Sequence, residues 1–243
     1  MPTPFAFAPT PLPRHIAIVM DGNGRWAQAR SRPRVFGHRA GAESVRRAVK
    51  ACGEWGIEVL TLYAFSTENW SRPSAEVSAL MALLRHYLRG EVRELDRSNV
   101  HLRVIGDLER LSAATRRELD RARRALEKNT GLTLVLALNY GGRDELARAM
   151  RALAADAVAG RIRAEAIDEA AIAGRLDTAG LPDPDLVIRT AGEMRLSNFL
   201  VWQASYAEYY STTVCWPDFD RPALAEAIRT FQQRRRTFGR VTE

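Results

Sequence analysis

The chain has 243 residues, 46% of them hydrophobic and 27% charged, which excludes a disordered chain and suits one large domain or two small ones. Lys+Arg 36 against Asp+Glu 29 gives a formal net charge of +7; with lysine only at Lys50 and Lys128, the basic surface is arginine. Such a surface suits nucleic acid, an anionic membrane or phosphorylated small molecules, and equally reflects arginine codon usage, so charge alone selects none of them.

Residues 1–13 hold five prolines and read as a flexible leader, with no charged-then-apolar order of a signal peptide. HIAIVM, His15 to Met20, is a strand buried on both faces, and it runs into the turn-rich string DGNGRW. Residues 41–55 carry helical periodicity, with Gly56 as the stop. IEVLTLYAF, Ile57 to Phe65, is a second strand followed by STENWSRP. Ser74 is a candidate N-cap for a long helix with Val77, Leu80, Met81, Leu83, Leu84, Tyr87 and Leu88 on one face. Residues 102–106 form a third strand, 112–128 an arginine-rich helix and 132–140 a fourth strand. A helix follows to about Ala157; 185–190 give a fifth strand, 198–203 a sixth, and 221–236 the last helix. No run of about 18 apolar residues occurs. Cys52 and Cys215 have no metal-ligand or CxxC spacing and read as buried thiols of a reducing compartment.

Strands alternating with helices predict a single α/β domain over residues 14–243, with a mainly parallel sheet of about six strands flanked by helices. Ligands gather at the carboxyl edge of such sheets, and the polar strings fall there. In DGNGRW, Gly22, Asn23 and Gly24 let backbone N–H groups approach a phosphate. Arg25, with Arg34 and Arg39 following, adds guanidinium donors. Asp21 at a strand end suits a divalent metal bridging phosphate oxygens; a helix-capping aspartate in a glycine turn is the plainer alternative. Asn69 and Arg72 offer donors after the second strand. Arg189 ends a buried strand, where a bare guanidinium is costly. It pairs with Glu193 or Asp185, or converges with Arg195 and Ser197 on a second anion. Glu208 lies among aromatic residues, and His38 is placed in a solvated loop.

HIAIVMDGNGRWA, FGHRAG, LTLYAFSTENWSRP, NYGGR, DLVIRTAGEMRLSNFLVWQ, YAE and WPDFD together resemble the cis-prenyltransferases, of the bacterial undecaprenyl diphosphate synthase type, from about His15 to Gly239. The DDxxD clusters of trans-prenyltransferases are absent. The resemblance implies a homodimer that adds isopentenyl diphosphate repeatedly to farnesyl diphosphate with cis double bonds, most simply to the C55 carrier lipid of cell-wall synthesis. It implies Mg2+ held by Asp21 with help from Glu208. The allylic diphosphate falls to Gly22, Asn23, Gly24, Arg25, Trp26, Arg34, His38, Ser66 and Trp70, and isopentenyl diphosphate to Arg189, Arg195 and Ser197. Asn69, Arg72 and His38 stand near the reacting carbons.

Three positions depart from the family: Ala191 for the usual glycine, Met194 for a frequent histidine, and Thr237 where an arginine commonly precedes the last x-Gly. A hydrophobic tunnel is expected between sheet and helices, lined by the 77–88 helix face with Leu132, Leu134, Leu136 and Leu138. Small Ala64 leaves room for a long product. The expected setting is cytoplasmic, peripheral at the inner membrane face, because an insoluble product has to be released to a membrane surface. The rivals are a short- or medium-chain cis synthase, a silent partner subunit of the same fold and, last, a nucleic-acid binder. The aromatics sit in hydrophobic runs rather than on a basic stacking surface, so no nucleic-acid partner is expected.

Overall fold

Every residue of the first strand, β1 (His15–Val19), is buried, as the continuous apolar run requires of a strand covered on both faces. The computed structural model describes residue 7 and residues 11–236; most of the proline-rich leader and the segment 237–240 lie outside the described residues. The chain proceeds through α1 (Asn23–Gln28), α2 (Arg34–Glu54), β2 (Val59–Ser66), α3 (Ser74–Arg97), β3 (His101–Ile105) and α4 (Ala113–Ala125). It continues with β4 (Thr133–Tyr140), α5 (Gly142–Val158), α6 (Glu169–Ala173), β5 (Leu186–Arg189), β6 (Glu208–Ser211) and α7 (Arg221–Gln232).

The six strands form one sheet in the order β3-β4-β2-β1-β5-β6. Every pairing is parallel, so the α/β domain expected from the alternation is what forms. Side chains alternate between two apolar layers. Ile16, Ile18, Leu60 and Leu62 pack with α2, α3, α4 and α7 on one face; Ala17, Val19, Val135 and Val187 pack with Phe199 and Leu200 on the other. The chain leaves β1 toward β2 on one side and returns to β5 on the other. That makes the carboxyl ends of β1 and β5 the switch point of the sheet, where two successive loops part and leave a crevice.

Several expectations shift. The sixth strand is not 198–203, which forms turns, but Glu208–Ser211. Local apolar content pointed to the former, yet Phe199 and Leu200 are buried as a plug under the sheet instead. The second helix begins at Arg34 rather than near Gly41, so His38 lies on a helix and not in a loop. Gly37 permits this early start: a Cβ there would sit 1.9 Å from the Asn23 carbonyl oxygen, so α2 presses directly on α1. Pro73, not Ser74, is the residue that precedes α3. The last helix stops at Gln232. Cys52 is buried as expected, but Cys215 is only partly so.

Candidate active site at the carboxyl edge

Asp21 follows β1 and Arg189 ends β5, and the parallel register sets Val19 beside Arg189. The Arg189 Nη2 therefore donates to Asp21 Oδ2 at 2.9 Å. This ion pair answers the open question about Arg189: its partner is Asp21, and neither Glu193 nor Asp185. Its other terminal nitrogen donates to Ser197 Oγ at 2.7 Å and to the Arg195 carbonyl, so Arg189 draws the loop after β5 in toward Asp21. The Asp21 backbone is fixed by Thr190, whose hydroxyl accepts from Asp21 N at 2.8 Å and donates to Asp21 O at 2.7 Å. Gly22 then turns with φ +95, where a Cβ would meet that of Ala191 at 2.7 Å. Only glycine tolerates that approach and that φ.

A cavity of about 580 Å³ opens at this point, within the range of roughly 300–1,000 Å³ usual for small-ligand sites. Its mouth is polar: Asp21, Asn23, His38, Ser66, Asn69, Arg72, Arg189 and Ser197 line it, together with Glu68 and Asn198. Its depth is apolar, walled by Leu80, Met81, Leu83, Leu84 and Tyr87 of α3, by Ala42 and Val45 of α2, and by Leu62, Phe65, Leu136 and Leu138 of the sheet. A cavity thus lies between sheet and helices, where the tunnel is expected. Val77 and Leu88 of α3 are core residues instead, as are Leu132 and Leu134, which lie nearer the amino end of β4.

Ala64 lines the cavity as well. The β2–β4 register jumps between Tyr63 and Phe65, leaving Ala64 as the extra residue of a bulge, a device that re-aims side chains beside sites.

The mouth is wired by ion pairs. Arg72 Nη1 donates to Glu76 Oε1 at 3.0 Å, and Arg34 Nε lies 3.5 Å from Glu76 Oε2. His38 Nε2 is 3.9 Å from the same carboxylate and has no hydrogen-bond partner among the described residues. Burial, reinforced by Arg72 and Arg34, lowers the His38 pKa to about 4 against the opposing pull of Glu76. The imidazole is therefore neutral near pH 7, with one nitrogen free. Asn69 closes the turn after β2 by accepting from Ser66 N at 3.1 Å. Asn198 Nδ2 donates to Glu68 Oε1 at 2.9 Å, joining the loops after β2 and β5 across the mouth.

Other sequence candidates lie outside the cavity lining. Arg25 and Trp26 border a second groove with Arg30, Cys215 and Asp218. There Trp26 Nε1 donates to Asp218 Oδ1 at 2.7 Å, and Arg25 reaches Glu193 at 3.1 Å. Arg34 lies against Gly24. Trp70 turns the opposite way, donating to Asn139 Oδ1 at 2.7 Å. Glu208 opens β6 opposite Leu186, at the amino end of β5, and pairs with Arg234 at 2.8 Å. The structure does not bring Glu208 to Asp21, which follows the carboxyl end of β1.

Thr190, Glu76, Glu68 and Asn198 escaped the sequence reading. Only Glu76 left a local signal, its i, i+4 spacing from Arg72.

Among the described residues no three or more His, Cys, Asp or Glu side chains cluster so as to hold a metal ion by themselves. The donor set nevertheless fits Mg2+ bound through one or two carboxylates with the remaining oxygens from phosphate and water. The Asp21 carboxylate is 35% exposed at the mouth, and among the described residues Arg189 is the cation paired with it.

Residues 19–239 match the family model described as "Putative undecaprenyl diphosphate synthase". The chain is 53% identical to the isoprenyl transferase of Agrobacterium fabrum over 96% of its own length and 94% of that protein. It is 52% identical to the (2E,6E)-farnesyl-diphosphate-specific ditrans,polycis-undecaprenyl-diphosphate synthase of Xanthomonas axonopodis pv. citri, covering 94% of this chain and 89% of the relative. Among solved structures, lavandulyl diphosphate synthase from Lavandula x intermedia in complex with dimethylallyl diphosphate superposes with a TM-score of 0.92 at 36% identity, covering 94% of this chain and 99% of that one.

Proposed function

Because the chain belongs to the undecaprenyl diphosphate synthase family of cis-prenyltransferases, we propose that it condenses isopentenyl diphosphate repeatedly onto farnesyl diphosphate. The product is a C55 polyprenyl diphosphate that serves as precursor of the cell-wall lipid carrier. The observation that carries this reading is the joining of a charged mouth, with Asp21, Arg72 and Arg189, to an apolar cavity under α3. Diphosphates suit the mouth and a growing hydrocarbon suits the depth, at ~0.8 kcal/mol per buried methylene.

In each cycle the allylic C1–O bond breaks, C1 joins C4 of isopentenyl diphosphate, and a proton leaves C2. Backbone N–H groups of residues 22–24, with Arg25 and Arg34, cradle the allylic diphosphate. Arg189, Arg195 and Ser197 hold that of isopentenyl diphosphate, whose C4 then points at the allylic C1. Mg2+, when bound, neutralises charge on the departing diphosphate; Asp21 is the residue that would hold it. Guanidinium groups fixed before the reaction stabilise the same charge without reorganising. Asn69, Arg72 and His38 border the reacting carbons, and His38, neutral with a free nitrogen, is placed to orient or take up the proton.

Residues 14–243 constitute the catalytic domain in this reading. It acts as a homodimer, with Glu208 assisting the metal as the family resemblance implies. It works in the cytoplasm and contacts the inner membrane face as product leaves; no helix of the described residues is long and apolar enough to cross a membrane.

The test is incubation of the purified protein with farnesyl diphosphate, labelled isopentenyl diphosphate, Mg2+ and detergent, followed by sizing of the dephosphorylated product. A ladder ending near C55 is expected. A short product would keep the chemistry and overturn the carrier role, and no incorporation by folded protein would return the silent-partner reading.

A further inference from the structure

The carboxylate of Glu193 stands between the two groups of arginines. One oxygen lies 3.1 Å from Arg25 Nη2, in α1 after β1, and the other accepts from Arg195 Nη1 in the loop after β5. Arg25 and Arg195 are long side chains, 50% and 60% exposed, whereas Glu193 is 25% exposed. Its turn is fastened to the last residue of β6 and the segment that follows. The Glu193 carbonyl accepts from Ser211 Oγ at 3.0 Å. Gly192 N donates to the Thr212 carbonyl at 2.7 Å and Ala191 N to that of Val214 at 2.8 Å. Glu193 is thus a carboxylate on an anchored turn, holding two longer cations that come from different loops.

Under the function proposed above, on which this step rests, Arg25 serves the allylic diphosphate and Arg195 that of isopentenyl diphosphate. A diphosphate arriving at either one competes with the same carboxylate. It is the stronger partner, since it offers several oxygens and more charge to a guanidinium fork. Once it holds one arginine, its charge at close range repels Glu193. The carboxylate then turns toward solvent and releases the other arginine too.

We propose that Glu193 couples the two diphosphate sites: without ligand it neutralises an arginine of each, and the first diphosphate to bind displaces it from both. The second ligand then meets an arginine already free. The coupling is positive and, because it is a difference in binding free energy, reciprocal. Exposed ion pairs of this kind change an equilibrium by up to about fivefold, so a factor of about three to five is the effect to look for.

The experiment is calorimetric titration of the intact protein in Mg2+ with isopentenyl diphosphate, alone and after saturation with farnesyl thiodiphosphate, whose C1–S bond resists ionisation. The ratio of the two dissociation constants is compared between wild type and Glu193→Gln. In Glu193→Gln each ligand alone is expected to bind more tightly, and the ratio to fall about three- to fivefold below that of wild type. Comparing ratios cancels the direct repulsion between the two diphosphates. Glu193→Asp keeps the charge but shortens the reach; it is expected to lose the coupling while leaving long-range electrostatics alone.

A ratio unchanged in both variants would overturn the proposal. So would weaker single-ligand binding in Glu193→Gln, which would make Glu193 a support for Arg195 and nothing more. A wild type that binds neither ligand would instead overturn the underlying function, an outcome distinct from binding without coupling.

Discussion

The two edges of the sheet carry similar side chains put to different uses. At the amino edge, Asp185 Oδ2 accepts from the backbone N of Arg14 at 2.8 Å and of His15 at 3.2 Å. Its other oxygen accepts from Arg236 Nη1 at 2.6 Å, while Arg14 grips Glu58 with two nitrogens. His15 uses both ring nitrogens, on the Pro182 carbonyl and on Thr61 Oγ1, each at 2.7 Å. At the carboxyl edge the ion pairs surround a cavity. Among the described residues, three of the five buried side-chain atoms without a hydrogen-bond partner, Asn23 Oδ1, His38 Nε2 and Arg189 Nε, belong to residues that line it, the others being Arg47 Nε and Gln203 Oε1. Buried polar atoms cost free energy unless they are paired. The amino edge has avoided that cost and is architecture; the carboxyl edge bears it, as sites kept ready for a ligand do.

The sharpest way to break this contrast is to remove one carboxylate from each edge. Asp21→Ala is expected to lower kcat by about 10²–10³-fold, the scale for losing a group that stabilises transition-state charge, and to lower Tm as well, because it leaves the buried Arg189 guanidinium without its carboxylate. Asp185→Asn is expected to leave kcat near wild type and to cost about 2–3 kcal/mol of stability, because it weakens charge-assisted hydrogen bonds to two backbone amides and to Arg236. Steady-state kinetics beside thermal melts check both. Activity within tenfold of wild type for Asp21→Ala would remove it from the mechanism.

The two histidines divide in the same way, with smaller effects. His38→Gln is expected to reduce kcat by about tenfold or more with an unchanged melt. His15 is read through pH. Burial holds its pKa at about 4, below the ordinary value of about 6.5. The unfolded chain therefore takes up a proton between pH 6.5 and 4 that the folded chain refuses. The stability from neutral His15 is complete above pH 6.5 and is lost as pH falls, by about 3 kcal/mol at pH 4. Thermal melts from pH 7 to 4 should show this loss, with a shallower dependence in His15→Asn. A parallel dependence in that variant would mean the ring already titrates normally in the fold.

The parallel sheet was legible because a strand buried on both faces has to be an apolar run, as in HIAIVM and LTLVLALNY. The carboxyl-edge site was legible because glycines, arginines and an aspartate collected directly after those runs. What sequence could not supply was pairing across distance. Arg189 was costly to bury without a partner, but whether that partner was Glu193, Asp185 or Asp21 depends on β1 lying beside β5, 168 positions apart for this contact. Thr190 carried no signal, since any strand-end threonine looks alike until its hydroxyl meets a backbone. Residues 198–203 misled for a related reason. Their apolar content was read as a strand; Phe199 and Leu200 are buried, but whether such a segment pairs as a strand or plugs the space beneath one is a tertiary decision.

The bulge at Ala64 gives the smallest and most specific test. An unbroken β2 would pair residue by residue with β4, but the register passes from Tyr63↔Ala137 to Phe65↔Leu138. Ala64 is left unpaired and borders the cavity with Leu136 and Leu138. Ala64→Leu adds three carbons to that wall without taking up core volume, because the residue faces empty space rather than packed side chains. Stability is expected within about 0.5 kcal/mol of wild type, as at positions outside a packed core. The first condensations should proceed normally, since Asp21 and the arginines are untouched. Elongation should stop when the chain end meets the new side chain, so the product distribution shifts to shorter lengths while the initial rate of isopentenyl incorporation holds. A shorter ladder with an unchanged initial rate separates the apolar depth from the charged mouth as two devices in one cavity. An unchanged ladder would mean the growing chain takes another path past β2.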